Sequence, residues 1–242
     1  MTWTILAAMF GTWIFAQGAG FDDTRLAISV CNLGMVPAEL LHTRPVGFEV
    51  PLGNGLGCAV DDNAINWLTP LTSMFLHGSW GHILGNALFF YVFGNNIEDS
   101  MGPGRFLIFY LLCGLLAAAV HVATASTSPV PTVGASGAIS GILGAYLVLY
   151  PKARVNILFF FIIFIRVIPV PAWMALLWWF GWQVVSALLS PLRPEITGGV
   201  AVWAHIGGFV AGIALVKLFE DPVLVAKRKL IHDTRYSHLI PS

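Results

Sequence analysis

The sequence is poor in charge. Of its 242 residues only 10% are Asp, Glu, Lys or Arg, against about 25% in an ordinary soluble domain. Neither sign prevails: twelve cations and twelve anions give a formal net charge of zero. That balance excludes the basic footprint of a nucleic-acid-binding protein. Cysteine is scarce too. Cys31, Cys58 and Cys113 show no metal-type spacing. Cys31 and Cys58 either pair, if their loop faces an oxidising compartment, or stay as unpaired small apolar residues; both readings stand. The opening stretch, MTWTILAAMFGTWIFAQ, lacks a basic leader and a small-residue cleavage site. It therefore reads as a retained span rather than a signal peptide.

Apolar residues are what the chain has in abundance. They make up 57% of it, and the mean hydropathy is +0.80. A soluble protein of this length has no room to hide so much apolar surface, so the solvent is lipid. A helical span takes roughly 20 apolar residues, with about 17 as the lower limit. Six segments meet or approach this: about 2–19, 81–97, 106–125, 133–150, 172–189 and 199–216. All are expected as helices, because an isolated strand leaves its backbone unsatisfied in lipid. The expected fold is an all-α membrane domain of six helices over 1–219, followed by a short polar cytosolic tail, 220–242. The run VNILFFFIIFI at 155–165 is too short to span and is closed by Arg166, Pro169 and Pro171. We expect it to be interfacial or re-entrant; a seventh span here is the rival reading.

The few cations orient the bundle. With six spans and both termini cytoplasmic, Arg105, Lys152, Arg154, Arg166, Lys217, Lys227, Arg228, Lys229 and Arg235 fall inside. Only Arg25, Arg44 and Arg193 fall outside, as the positive-inside rule requires. The first outer loop, about 20–80, is long enough to carry structure of its own. Gly53, Gly55 and Gly57 predict turns in it, and its apolar end, INWLTPLTSMFLHGSWGHI, is expected to dip into the membrane.

Polar groups inside spans need a reason. Ser136 lies three residues into the fourth span and His205 six residues into the sixth. At 1.5 Å per residue that is about 5–9 Å below the outer surface. His82 and Asn86 open the second span at similar depth. Within VGASGAISGILG, Gly137, Gly141 and Gly144 fall at i, i+4, i+7; in the sixth span His205, Gly208 and Gly212 fall at i, i+3, i+7. Such stripes let helix backbones approach closely. If they face each other, the imidazole reaches the Ser136 hydroxyl and is placed to take its proton. No Asp or Glu lies in either span to orient the imidazole, so the arrangement is a dyad rather than a triad. His82 and Asn86 share one helix face. Together with the first-turn N–H of Ser136 they offer donors to an oxyanion. Against this, a lone serine in such a helix ordinarily bonds its own backbone, and glycine spacing ordinarily serves packing alone. The conjunction on three helices at one depth is what favours chemistry. Ser140, one turn deeper, keeps the packing or cavity-lining reading.

Gly134-Ala135-Ser136-Gly137 resembles the GxSG motif of the rhomboid family of intramembrane serine proteases. His82 to Asn86 resembles its HxxxN, and His205 to Gly212 its HxxGxxxG. HGSWGHILGN and GNNIEDSMGPGRF also read like segments of the family, and the sequence looks like a bacterial-type rhomboid over nearly its whole length. The resemblance implies a six-helix fold with a water-filled cavity open to the outside. It implies Ser136 as nucleophile, His205 as general base, and His82, Asn86 and the Ser136 N–H as oxyanion hole. Gly134 and Gly137 would shape the turn around the nucleophile, with Gly141, Gly208 and Gly212 supporting the packing. Substrates would be transmembrane proteins cut near small residues. No metal or cofactor is implied, and the bacterial plasma membrane is the implied location. Glu98 and Arg105 would brace the structure, and His77 would pack behind the site. The family often carries an adjacent Trp-Arg pair in the first loop, whereas here Trp67 and Arg44 are separated. A pseudoprotease that binds transmembrane clients, or a small-solute transporter, is the alternative function.

Overall fold

The structure, a computed structural model, describes residues 1–53, 55–161, 164–189 and 201–228. Helices occupy each of the six apolar segments. Helix α1, Thr2–Gly11, continues through a π-turn to Ala16. The first loop holds α2 (Asp23–Leu33), α3 (Pro37–Leu40) and α4 (Thr69–Thr72). Helix α5, Trp80–Phe89, runs through a second π-turn into α6, Asn95–Met101. Then come α7 (Pro103–Thr124), α8 (Ser136–Leu149), α9 (Ala172–Leu189) and α10 (Val202–Phe219). Among the described residues, α7, α9 and α10 are long and apolar enough to cross a membrane; Thr2–Ala16 and Ser136–Leu149 are apolar but shorter.

The helix starts follow local chemistry. Gly102, at φ +77°, turns the chain, and Pro103 opens α7, where its missing N–H costs nothing. The hydroxyl of Ser79 accepts from the His82 N–H at 3.2 Å and caps α5. Two of the boundaries that differ from the sequence expectation bear on the site. Gly134 sits at φ +126°, outside the helical region, so α8 starts at Ser136 and not at 133. Ala201 is likewise non-helical, and α10 starts at Val202. Ser136 is therefore the first residue of its helix, and His205 is one turn into its own.

The fold is not purely α-helical. Two antiparallel hairpins interrupt it: β1 (Glu49–Gly53) with β2 (Leu56–Ala59), and β3 (Arg154–Phe161) with β4 (Phe164–Pro171). The second covers the run expected to be interfacial or re-entrant, and its extended backbone excludes a helical seventh span there. Its β-branched residues and the prolines at 169 and 171 favour extended chain. A short apolar run does not by itself distinguish strand from helix. In the first loop the turn of β1–β2 falls at Gly55, one of the three glycines expected in turns, whereas Gly53 and Gly57 lie within the strands. A disulfide between Cys31 and Cys58 ties α2 to β2, which decides between the two cysteine readings; Cys113 is free and buried.

The core lies between α5, α7, α8 and α10. Phe90 meets Tyr110 edge-on at 5.3 Å, and Phe93 meets Tyr146 at 4.9 Å. A polar cluster closes the end of the bundle remote from Ser136. Glu98 accepts from the Thr2 backbone and hydroxyl, both at 2.7 Å. Burial alone would raise its pKa, but these bonds and the Met1 amino group bring it below the ordinary carboxylate value. Arg105 pairs with Asp221 at 3.9 Å, and Arg228 with Asp99 at 3.0 Å.

Candidate active site

Four glycines set the approach of α8 and α10. A Cβ built on Gly208 would lie 2.0 Å from the Gly137 carbonyl oxygen, and one on Gly212 would lie 1.9 Å from that of Gly141. Neither position admits any side chain while the helices stay where they are. The α8 glycines also serve a third helix, which the sequence reading missed. A Cβ on Gly137 would meet Ala117, and one on Gly141 would meet Cys113, both on α7.

This packing brings the starts of α8 and α10 together. The Ser136 hydroxyl lies 2.8 Å from His205 Nε2. Ser136 is half-buried and His205 is 9% exposed. Ser140 donates to the Ser136 carbonyl at 2.7 Å, the back-bonding that a serine in a helix ordinarily makes. The other face of the imidazole meets α9. Gln183 Oε1 lies 2.9 Å from His205 Nδ1, and the Trp179 ring lies 5.9 Å from the imidazole. Sequence reasoning missed both. It sought a carboxylate partner and looked on α8 and α10 alone. The available signal was a lone amide, Gln183, in an otherwise largely apolar run. Trp173, Trp178 and Trp182 are exposed, as membrane anchors would be, but Trp179 is turned inward.

His82 and Asn86 reach the same place from α5. A Cβ on Gly134 would fall 2.7 Å from His82 Nε2 and 3.6 Å from Asn86 Nδ2. Gly134 thus leaves room for both side chains, two residues before Ser136. Gly78 N–H donates to His82 Nδ1 at 3.4 Å, which leaves Nε2 to carry the proton. Asn86 Nδ2 is buried with no hydrogen-bond partner among the described residues. Two N–H donors are therefore free to bind an anionic oxygen. His77 is wholly buried and stacks edge-on against His82 at 5.1 Å, behind the site.

The first loop holds the segment that leads into Ser136. Met35 and Thr132 exchange backbone bonds of 3.0 and 2.8 Å, and Gly134 N–H donates to the Ser73 carbonyl at 2.9 Å. All these groups border a cavity of about 640 Å³ lined by His82, Asn86, Gly134, Ser136, Trp179 and His205. Among the described residues, no three His, Cys, Asp or Glu converge to hold a metal.

Comparison with known proteins adds a lineage. A family model, the Rhomboid domain, matches residues 65–220. The chain is 32% identical over 220 residues to RHOMBOID-like protein 12, mitochondrial, of Arabidopsis thaliana, covering 84% of this chain and 60% of that one. It is 27% identical over 156 residues to Rhomboid protein 1, mitochondrial, of Saccharomyces cerevisiae, covering 63% and 42%. It is 41% identical over 81 residues to Rhomboid protease GluP of Bacillus subtilis, covering 34% and 15%. The chain thus spans 60% or less of the length of these relatives.

Proposed function

The chain belongs to the rhomboid family, and from that premise we propose that it is an intramembrane serine endopeptidase acting on transmembrane proteins. The observation that carries this reading is the 2.8 Å contact between Ser136 Oγ and His205 Nε2 beside a cavity. Ser136 attacks the scissile carbonyl while His205 Nε2 takes the hydroxyl proton. The oxyanion that forms accepts from His82 Nε2–H, Asn86 Nδ2–H and the Ser136 N–H. The imidazolium returns its proton to the leaving amine. Water entering the cavity then hydrolyses the acyl-enzyme, with His205 again as base.

The site supports a protease over a client-binding pseudoprotease. A packing serine has no need of an imidazole partner, and the buried, unpartnered Asn86 Nδ2 beside it is aimed at no structural acceptor among the described residues. For topology we propose six spans with both termini cytoplasmic. The outer ends of α5, α8 and α10 hold the site, and Arg105, Lys217 and Arg228 lie toward the other end of the bundle, where the inside-positive rule puts cations. The chain is an integral membrane protein by family and composition. Its relatives come from mitochondria and from a bacterium, so they give no support to the bacterial plasma membrane in particular.

The test is purified protein in detergent with a single-span substrate. Cleavage is expected from wild type and not from Ser136→Ala; cleavage that survives the substitution contradicts the reading. A reporter fused after Ser242 is expected to read cytoplasmic. A reading from the opposite side overturns the topology.

A further inference from the structure

A base that takes the Ser136 proton must present a bare Nε2, so Nδ1 must carry the ring proton. A neutral imidazole in isolation exchanges between its two tautomers, and only one of them works here. The partner of Nδ1 therefore decides how much of the base is competent. That partner comes from neither helix of the dyad. It is Gln183 Oε1 on α9, at 2.9 Å, with Gln183 only 8% exposed. Trp179 lies one turn earlier on α9, so the same face of that helix also carries the ring that lies tilted beside the imidazole at 5.9 Å.

Resting on the protease reading above, we infer that Gln183 is a positioning residue that holds His205 in the Nδ1–H tautomer, so that the base is completed by α9. The amide oxygen accepts from Nδ1–H, and the Nε2 lone pair is left facing the Ser136 hydroxyl. An aspartate in this place would orient the ring as well, but it would add a charge inside a membrane-spanning bundle, where charge is expensive. The neutral amide does the orienting without that cost. It also means that the competence of the base depends on α9 being seated against α10.

The test uses three forms of the full chain in detergent: wild type, Gln183→Met and Gln183→Glu. Methionine keeps the length of the side chain and removes the acceptor; glutamate keeps an oxygen acceptor in either protonation state. Expected is a kcat at least about 10-fold lower in Gln183→Met with KM unchanged: outer partners of metal-bound histidines are worth about 10- to 100-fold, and a wrong tautomer in a serine-protease triad costs up to about 10⁴-fold. Gln183→Glu is expected to stay within about tenfold of wild type, since an acceptor is retained. Nitrogen NMR of protein labelled in histidine is expected to show His205 protonated at Nδ1 in wild type and Gln183→Glu. In Gln183→Met the proton should move partly or wholly to Nε2. The inference is overturned if Gln183→Met keeps the wild-type tautomer, whatever its activity. It is also overturned if Gln183→Met keeps wild-type kcat. The NMR arm reads tautomer without turnover, so a wild type that cleaves nothing defeats the protease reading and leaves this test standing. Should Gln183→Met fail to fold, Gln183→Glu decides by itself: a glutamate variant with the proton on Nε2 overturns the inference.

Discussion

Helices α8 and α10 meet backbone to backbone, whereas α9 meets α10 through side chains. In the first interface a glycine Cβ would fall about 2 Å from a facing carbonyl oxygen. In the second the contacts are Gln183 and Trp179 against His205, and the Phe180 ring stacked on Phe209 at 4.4 Å. Buried residues make up 50% of α10 but 28% of α9. The difference divides the labour. The separation of Ser136 and His205 is set by backbone packing that tolerates no added atom. The orientation of the imidazole is set by side chains on a helix with fewer buried neighbours.

The comparison breaks most completely at Gly212. Replacing it with leucine forces α8 and α10 apart along their length, and the expected outcome is no folded, monodisperse protein on size-exclusion chromatography in detergent. A side-chain contribution can be removed without moving a helix: His82→Ala and Asn86→Ala should each lower kcat by about 10²–10³-fold, the usual effect of losing one oxyanion donor. Equal activity in both variants and wild type contradicts the oxyanion assignment.

A smaller wedge at the tight interface sharpens the contrast. Gly208→Ala should destabilise by about 1–3 kcal/mol, as overpacking does. It should also lower kcat/KM by about 10²-fold, the typical effect of a 1 Å misplacement. Thermal melting and steady-state kinetics read the two effects separately. The same substitution at Gly181 on α9 meets nothing within 4 Å among the described residues. There the gain in helix propensity is at most about 1 kcal/mol, so the melting midpoint should hold or rise slightly. A Gly181→Ala variant as damaged as Gly208→Ala would erase the distinction between the interfaces.

The smallest effect lies in the first loop. Glu39 is buried and accepts from the Asp61 N–H at 3.2 Å. Burial, with the nearby Asp61 charge adding to it, lifts its carboxyl from an ordinary 4.5 to about 7 despite that bond. The folded protein therefore binds a proton that the unfolded chain has released. Stability from this source is full below pH 4.5 and is lost as pH rises through about 7. Gln at this position stays neutral, so Glu39→Gln should gain melting temperature relative to wild type at pH 8 and not at pH 4. A difference between the two proteins that does not change with pH contradicts the shift.

Much of this was legible in the sequence, for stated physical reasons. The apolar runs mark the helices because lipid allows few alternatives. The glycine spacings on α8 and α10 foretell the close approach of Ser136 and His205. Other features were hidden. Where α8 begins depends on the left-handed backbone of Gly134, and no spacing rule gives that. The run at 155–165 carries too few residues for its period to separate strand from helix. Gln183 was passed over because only a carboxylate was sought as the ring's partner. The bond of Gly134 to Ser73, and that of Met35 to Thr132, join segments far apart in the chain, and no local pattern announces such pairings.

The central claim is that Ser136 is a nucleophile activated by His205, and the most direct test is where a fluorophosphonate attaches. The probe, applied to the detergent-solubilised protein and mapped by mass spectrometry, should modify Ser136 in wild type, nothing in Ser136→Ala, and Ser136 only slowly in His205→Ala. Attachment at another residue, or undiminished labelling of Ser136→Ala, contradicts the account.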